Sequence, residues 1–191
     1  MAVARDRELL YLVAILVQWG IFAFVYLGLH IQNTPLCVLI RRTWHDSWDK
    51  IREIGLGLGA LLLALCSTAL FVYWFGPHDR DKVDIYPKTA VQFYFFFLLA
   101  VSGGFIEEII FRGYLLKQMT HLFNNGTAAL LLQAAFFSLA HGLHEGIAGM
   151  SNKFFIGLLF GYISFRRKSL MPASVAHCGL DAAAAILSVL H

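Results

Sequence analysis

Apolar runs long enough to cross a bilayer constrain this chain more than any other feature. A spanning helix needs about 20 apolar residues, and residues 9–29 and 54–75 each supply such a run. A third run starts near Thr89, passes through the Phe-rich stretch 93–97 and continues to about Leu116. Asn124-Asn125-Gly126 then reads as a turn. Further apolar helices are expected at 127–143, at 154–165 and from Pro172 to Leu190, the proline suiting a first helical turn. That gives an all-α, polytopic transmembrane bundle of roughly six spans, some too short to cross alone. Hydrophobic residues make up 59% and charged residues 14% of the 191, against about 25% charged in an ordinary globular domain. The natural solvent of such a chain is lipid, and the expected location is the cell membrane.

Other features carry less. The net charge of +3 gives no argument for nucleic acid. The run at 9–29 exceeds a signal-peptide core of about 7–15 residues and no small-x-small site follows it, so a retained first span is expected. Cys37, Cys66 and Cys178 are too widely spaced for a zinc or disulfide framework and read as packing residues. Arg41, Arg42, Lys50 and Arg52, with Trp44 and Trp48, read as a juxtamembrane loop. Asp79, Asp81 and Asp84 lack the glycine and distal glutamate of a calcium loop. The positive-inside rule places the loops at 41–52 and 166–168 together in the cytoplasm. No internal repeat is visible.

The anomaly is charge inside the last apolar helices. Glu107, Glu108, Arg112, His141, His177 and Asp181 all fall at membrane depth, where a charged side chain costs at least about 2.5 kcal/mol. Six such residues on three helices must face a shared interior. Glu108 and Arg112 are four apart, on one helical face, with the glutamate in the favourable N-terminal position. They read as an ion pair that cancels buried charge. Glu107 is rotated about 100° from Glu108 and keeps no local counter-charge, the setting of a general base. His141, four residues after Phe137, reads alone as either a packed core histidine or a site residue. His144 and Glu145 follow at the helix end, where Glu145 could orient His141. His177 and Asp181 are again four apart. A carboxylate beside an imidazole is the usual arrangement in catalytic and metal sites, and also a way to lock two helices.

In this order, Glu107-Glu108-Ile109-Ile110-Phe111-Arg112, Phe137-Ser138-Leu139-Ala140-His141 and His177-Cys178-Gly179-Leu180-Asp181 resemble the three motifs of the CAAX-processing, Abi-type (CPBP) family of intramembrane proteases. Arg112-Gly113-Tyr114-Leu115 continues the likeness. The resemblance spans about Thr89 to Leu190. It divides the chain into two N-terminal transmembrane helices with polar loops at 1–88 and a catalytic helical core at 89–191. It implies an active site within the membrane, open to an aqueous face. The implied reaction is hydrolysis of a peptide bond in a membrane-associated peptide or protein, with lipidation near the substrate's C-terminus left open. Carried over, Glu107 would activate water, His141 would orient that water, and Glu108 and Arg112 would hold the motif helix. His177 and Asp181 would stabilise the oxyanion. An ionised Asp181 cannot itself donate a hydrogen bond, so its expected role is to hold His177 as imidazolium. No cofactor is expected, but Glu107, His141 and His177 could together ligate zinc with an open fourth position. The other function class is a non-proteolytic membrane scaffold or a proton-coupled transporter built on the same residues, and the missing repeat argues against transport.

Overall fold

The computed structural model describes residues 2–40, 46–76, 86–141 and 146–188, with side chains from Arg7 onward. Arg41, Arg42, Trp44, Asp79, Asp81, Asp84, His144 and Glu145 lie outside the described residues. The secondary structure of the described residues is all helical, in the order α1 (Ala2–Ile31), α2 (Cys37–Ile40), α3 (Ser47–Phe75), α4 (Ala90–Glu108), a π-helical segment (Ile109–Leu115), α5 (Leu116–Phe123), α6 (Gly126–Ala140), α7 (Gly146–Arg167) and α8 (Met171–Leu187). Among the described residues, four helical stretches are long and apolar enough to cross a membrane: Arg7–Ile31, Ser47–Phe75, Ala90–Phe123 and Gly146–Arg167. Two shorter apolar helices, α6 and α8, complete the bundle. The chain is therefore an integral membrane protein of the polytopic helical class.

Local chemistry explains the ends. Thr89 caps α4 by accepting the amide of Gln92, and Asp46 caps α3 by accepting that of Asp49. At the Asn-Asn-Gly turn, Asn124 adopts the left-handed conformation at φ 48. Asn125 then caps α6 by accepting the amides of Thr127 and Ala128. Both asparagines do what short polar side chains do best at a helix boundary.

The packing centres on α8, which lies against α3 on one side and α4 on the other. In lipid no hydrophobic force drives helices together, so association relies on close van der Waals approach at small residues. A Cβ at Gly57 of α3 would sit 2.7 Å from the Val175 Cβ and 2.8 Å from the Pro172 carbonyl of α8. A Cβ at Gly104 of α4 would sit 3.1 Å from both the Asp181 carboxylate and the Cys178 backbone nitrogen. The core that results joins Ala60 and Ala64 of α3, Phe137 of α6, Ile156 and Phe160 of α7, and Ala173 and Ala176 of α8. Glu53 near the start of α3 is buried and takes Arg167 at the end of α7 through Nε at 2.8 Å and Nη2 at 2.6 Å. That pair fixes the start of α3 and the end of α7 at the same end of the bundle.

The third span differs from a regular helix. Ala90–Phe123 is one long rod, but its middle is π-helical, and the Leu116 amide reaches back to the Phe111 carbonyl. A π segment inserts an i→i+5 turn into an α-helix and is found mostly beside functional sites. Apolar periodicity does not register such a local insertion.

Candidate active site

Glu107 and Glu108 close α4 just as the π segment begins, and Arg112 lies inside it. His141 is the C-cap residue of α6, and His177 and Asp181 lie on α8. The structure brings all six together. The Glu108 side chain is fully buried, and its Oε1 accepts from Arg112 Nη1 at 2.7 Å and faces His177 Nδ1 at 2.7 Å. Glu107 Oε2 lies 3.6 Å from His141 Nε2 and 3.8 Å from His177 Nε2. Asp181 Oδ2 lies 3.7 Å from His177 Nε2.

Asp181 was expected to hydrogen-bond or charge-pair with His177, and it stands at ion-pair distance, 3.7 Å, from Nε2. The sequence did not anticipate that the short hydrogen bond, at Nδ1, comes from Glu108 on another helix. The cause is the approach of α4 to α8 at Gly104. It sets Glu108 against Nδ1 of the imidazole and leaves Asp181 on the Nε2 side, beyond hydrogen-bond distance. The Glu108–Arg112 pair has the expected spacing but does more than cancel charge, because the same oxygen also anchors His177.

Aromatic rings hold the rest. The Arg112 guanidinium carbon stands 4.2 Å over the Phe137 ring and 5.7 Å from that of Phe160. A cation over a ring face is attracted by the ring quadrupole, more so when desolvated. Phe137 also packs on His141 at 4.4 Å and meets His177 edge-on at 5.6 Å, and Phe160 touches His177 at 5.6 Å. The Phe137 carbonyl lies 2.9 Å from His141 Nδ1 and accepts its proton. Each histidine thus has Nδ1 engaged by a neighbour, which turns Nε2 toward Glu107. Phe160 and Gly104 were not singled out from the sequence. Phe160 is one apolar residue among many. The pair Gly103-Gly104, one turn before Glu107, was a readable sign of close helix approach.

Burial is graded across the cluster. Glu108 and Arg112 are fully buried and His177 nearly so, whereas Asp181 is 29% and Glu107 34% exposed. Glu107 and Asp181 are thus the most exposed of the six, although Glu107 Oε2 itself is buried. An apolar groove of about 490 Å³ between α3 and α7, lined by Leu63, Leu70, Trp74 and Phe155 among others, contains none of the six residues.

The donor set also fits a divalent metal. Glu107, His141 and His177 offer ligand atoms that all lie within 4.8 Å of one another. Tetrahedral zinc with bonds of about 2.0–2.1 Å spaces its ligand atoms about 3.4 Å apart, so small side-chain shifts would suffice. Glu107 Oε2 is buried without a hydrogen-bond partner. Both histidines carry the backing acceptor at Nδ1 that metal-bound imidazoles have.

Residues 89–183, which include all six, match the family described as type II CAAX prenyl endopeptidase, Rce1-like. No curated protein and no solved structure matches the chain.

Proposed function

The chain belongs to the CPBP family through its Rce1-like segment, and on that premise we propose that it is an intramembrane endopeptidase with Glu107 as its base. The substrate class is a membrane-associated protein or peptide, lipidated near its C-terminus, and the site of action is the cell membrane. The observation that carries the reading is the position of Glu107. Its Oε2 is buried and faces the Nε2 atoms of two histidines at 3.6 and 3.8 Å, while the side chain as a whole is the most exposed of the six.

In this reading Glu107 takes a proton from water as the water oxygen attacks the scissile carbonyl, then returns it to the leaving amine. His141, with Nδ1–H given to the Phe137 carbonyl, presents Nε2 as an acceptor that orients the water. His177, held through Nδ1 by Glu108, donates from Nε2–H to the oxyanion when it carries both protons. Asp181 faces that same nitrogen and supports the charged form.

A second reading rests on the close ligand set. With His177 neutral and its proton on Nδ1, Glu107, His141 and His177 would hold zinc, which would supply Lewis-acid activation of water. Glu108 and the Phe137 carbonyl would then orient the two imidazoles.

The deciding experiment places purified protein in liposomes with a membrane-tethered peptide, prenylated or not. Each arm is run untreated, with chelator, and with added zinc. Cleavage that survives chelation and is lost in Glu107→Ala supports the glutamate reading. Cleavage lost on chelation and restored by zinc selects the second. No cleavage of either peptide in any arm refutes peptidase function and favours the scaffold or transporter.

A further inference from the structure

The apolar groove between α3 and α7 takes no part in the proposed chemistry. It is lined on α3 by one face of the helix, from Leu63 through Cys66 and Leu70 to Trp74 and Phe75, and on α7 by Phe155. Both helices belong to stretches that cross the membrane by length and composition, so the groove lies in hydrocarbon. Leu63, Leu70, Trp74 and Phe155 are all exposed, so it opens to the bilayer rather than to the core.

Its ends can be placed. Tyr73, Trp74 and Phe75 are exposed aromatics at the last turn of α3, the composition of a membrane–water interface. From Phe75 back to Leu63 is about 18 Å at 1.5 Å per residue, close to the ~15 Å of one leaflet's hydrocarbon. Ser67 meets Asn152 and Glu53 meets Arg167, so α3 and α7 run antiparallel. Phe155, one turn from Asn152 toward Arg167, therefore stands level with Leu63 at the deep end.

Width and wall chemistry restrict the occupant. Spread over that length, the volume of about 490 Å³ gives a mean cross-section of roughly 27 Å², or a channel about 6 Å across. A helix with its side chains is about 10–12 Å wide and does not fit. Ser67 lines the groove, but its hydroxyl donates to Asn152 Oδ1 at 2.9 Å. Asn152 Nδ2 in turn donates to Thr68 Oγ1 at 3.0 Å. Nothing there would satisfy the backbone of an extended peptide, which hydrocarbon does not tolerate unpaired. We propose that the groove is a binding site for one acyl chain of a membrane phospholipid, with the headgroup at the Trp74 end. Left empty, its walls would forfeit van der Waals contact along their length. A lipid group carried by a substrate fits less well. Gly57 packs on Pro172 and Val175 and Leu61 meets Gly179, so α3 and α8 run parallel and the deep end is level with Asp181. A chain attached to a peptide there would enter from the deep end and run against the bilayer's own chains.

The proposal is independent of the peptidase reading, and its test reads no cleavage. Protein with Trp74 as its one tryptophan (Trp19, Trp44 and Trp48→Phe) is reconstituted with phosphatidylcholine brominated in its acyl chains, then exchanged into lipid-free detergent. Expected are one retained lipid per chain by native mass spectrometry and Trp74 fluorescence about twofold below that of a sample from unbrominated lipid. In Leu63→Phe/Cys66→Phe, which fills the groove from exposed positions, retention and quenching should both disappear. The Trp74 arm needs no substitution in the groove, so it decides alone if the filled variant does not fold. Quenching lost on exchange, which means annular contact only, would overturn the proposal. So would equal retention by a folded filled variant, or recovery of a lipid-free dimer, which would make the groove a contact between copies.

Discussion

Glu107 and Glu108 are adjacent in sequence, and the structure assigns them opposite sensitivities. Glu108→Leu removes the acceptor of both Arg112 Nη1 and His177 Nδ1, each at 2.7 Å, from a fully buried position. The substitution preserves most of the side-chain volume, so the loss reports charge and hydrogen bonding rather than a cavity. Breaking one partner of a buried pair costs about 3–5 kcal/mol. At about 2–4 °C per kcal/mol for a chain of this size, Tm should fall by roughly 6–20 °C. Stacking on Phe137 and Phe160 keeps Arg112 partly stabilised and favours the lower half of that range. Glu107→Ala removes a side chain that is one-third exposed and whose buried oxygen has no hydrogen bond. Its cost should stay within about 1 kcal/mol, with cleavage abolished. The double variant Glu108→Leu/Arg112→Met should regain most of the lost stability, because an apolar replacement of a whole buried pair is often neutral. The assay is thermal unfolding in detergent of all three proteins, with peptide cleavage at a temperature where each is folded. Equal loss of Tm in Glu107→Ala and Glu108→Leu, or no recovery in the double variant, would refute the division of roles.

Gly104→Ala should lower kcat by about tenfold or more while leaving the protein folded, because its methyl would press on the Asp181 carboxylate and the Cys178 backbone and shift α8 under His177. Gly59→Ala, with nothing within 4 Å, is the matched control and should be silent in the same kinetics. Asp181→Asn should keep substantial turnover, since an amide can donate to the oxyanion directly, whereas Asp181→Leu should lose about 10²–10³-fold; wild-type turnover by the leucine variant would remove Asp181 from the mechanism. Arg167→Met should lower stability by roughly 1–3 kcal/mol, discounted for the partial exposure of Arg167, because it strands buried Glu53. Its cleavage rate per folded molecule should not change.

The spans and the charge cluster were legible because lipid leaves a strong signal. A helix in hydrocarbon must be apolar for its whole length, so Glu107, Arg112 and His177 stand out against their neighbours. The spacing of Glu108 and Arg112 also specified their contact, as four residues do on any helix. What stayed hidden depends on how helices meet. That Glu108 rather than Asp181 takes His177 Nδ1 follows from α4 packing on α8 at Gly104, a tertiary fact with no periodic trace. The π segment Ile109–Leu115 is a local insertion that its sequence, apolar apart from Arg112, does not announce. Glu53 lies at the polar start of its span, where a carboxylate raises no suspicion until Arg167 arrives from α7.

The same constraint that exposes the cluster also organises it. Charge in a bilayer must be paired and hydrogen-bonded, so the cluster requires a rigid, nearly dry base: Glu108 on Arg112, Arg112 on Phe137 and Phe160, His177 on Glu108. Each contact in that base is a membrane-insertion requirement before it is a catalytic device. Its by-product is pre-organisation. Both imidazoles are fixed through Nδ1 before any reactant arrives, so neither has to reorient when charge develops. Glu107 is then the member whose pairing stays incomplete, on the most exposed side chain of the six. Stability and activity should therefore separate by depth. Substitutions below His177 should act mainly on Tm, and those at Glu107 and Asp181 mainly on turnover. His177, touching both layers, should affect both.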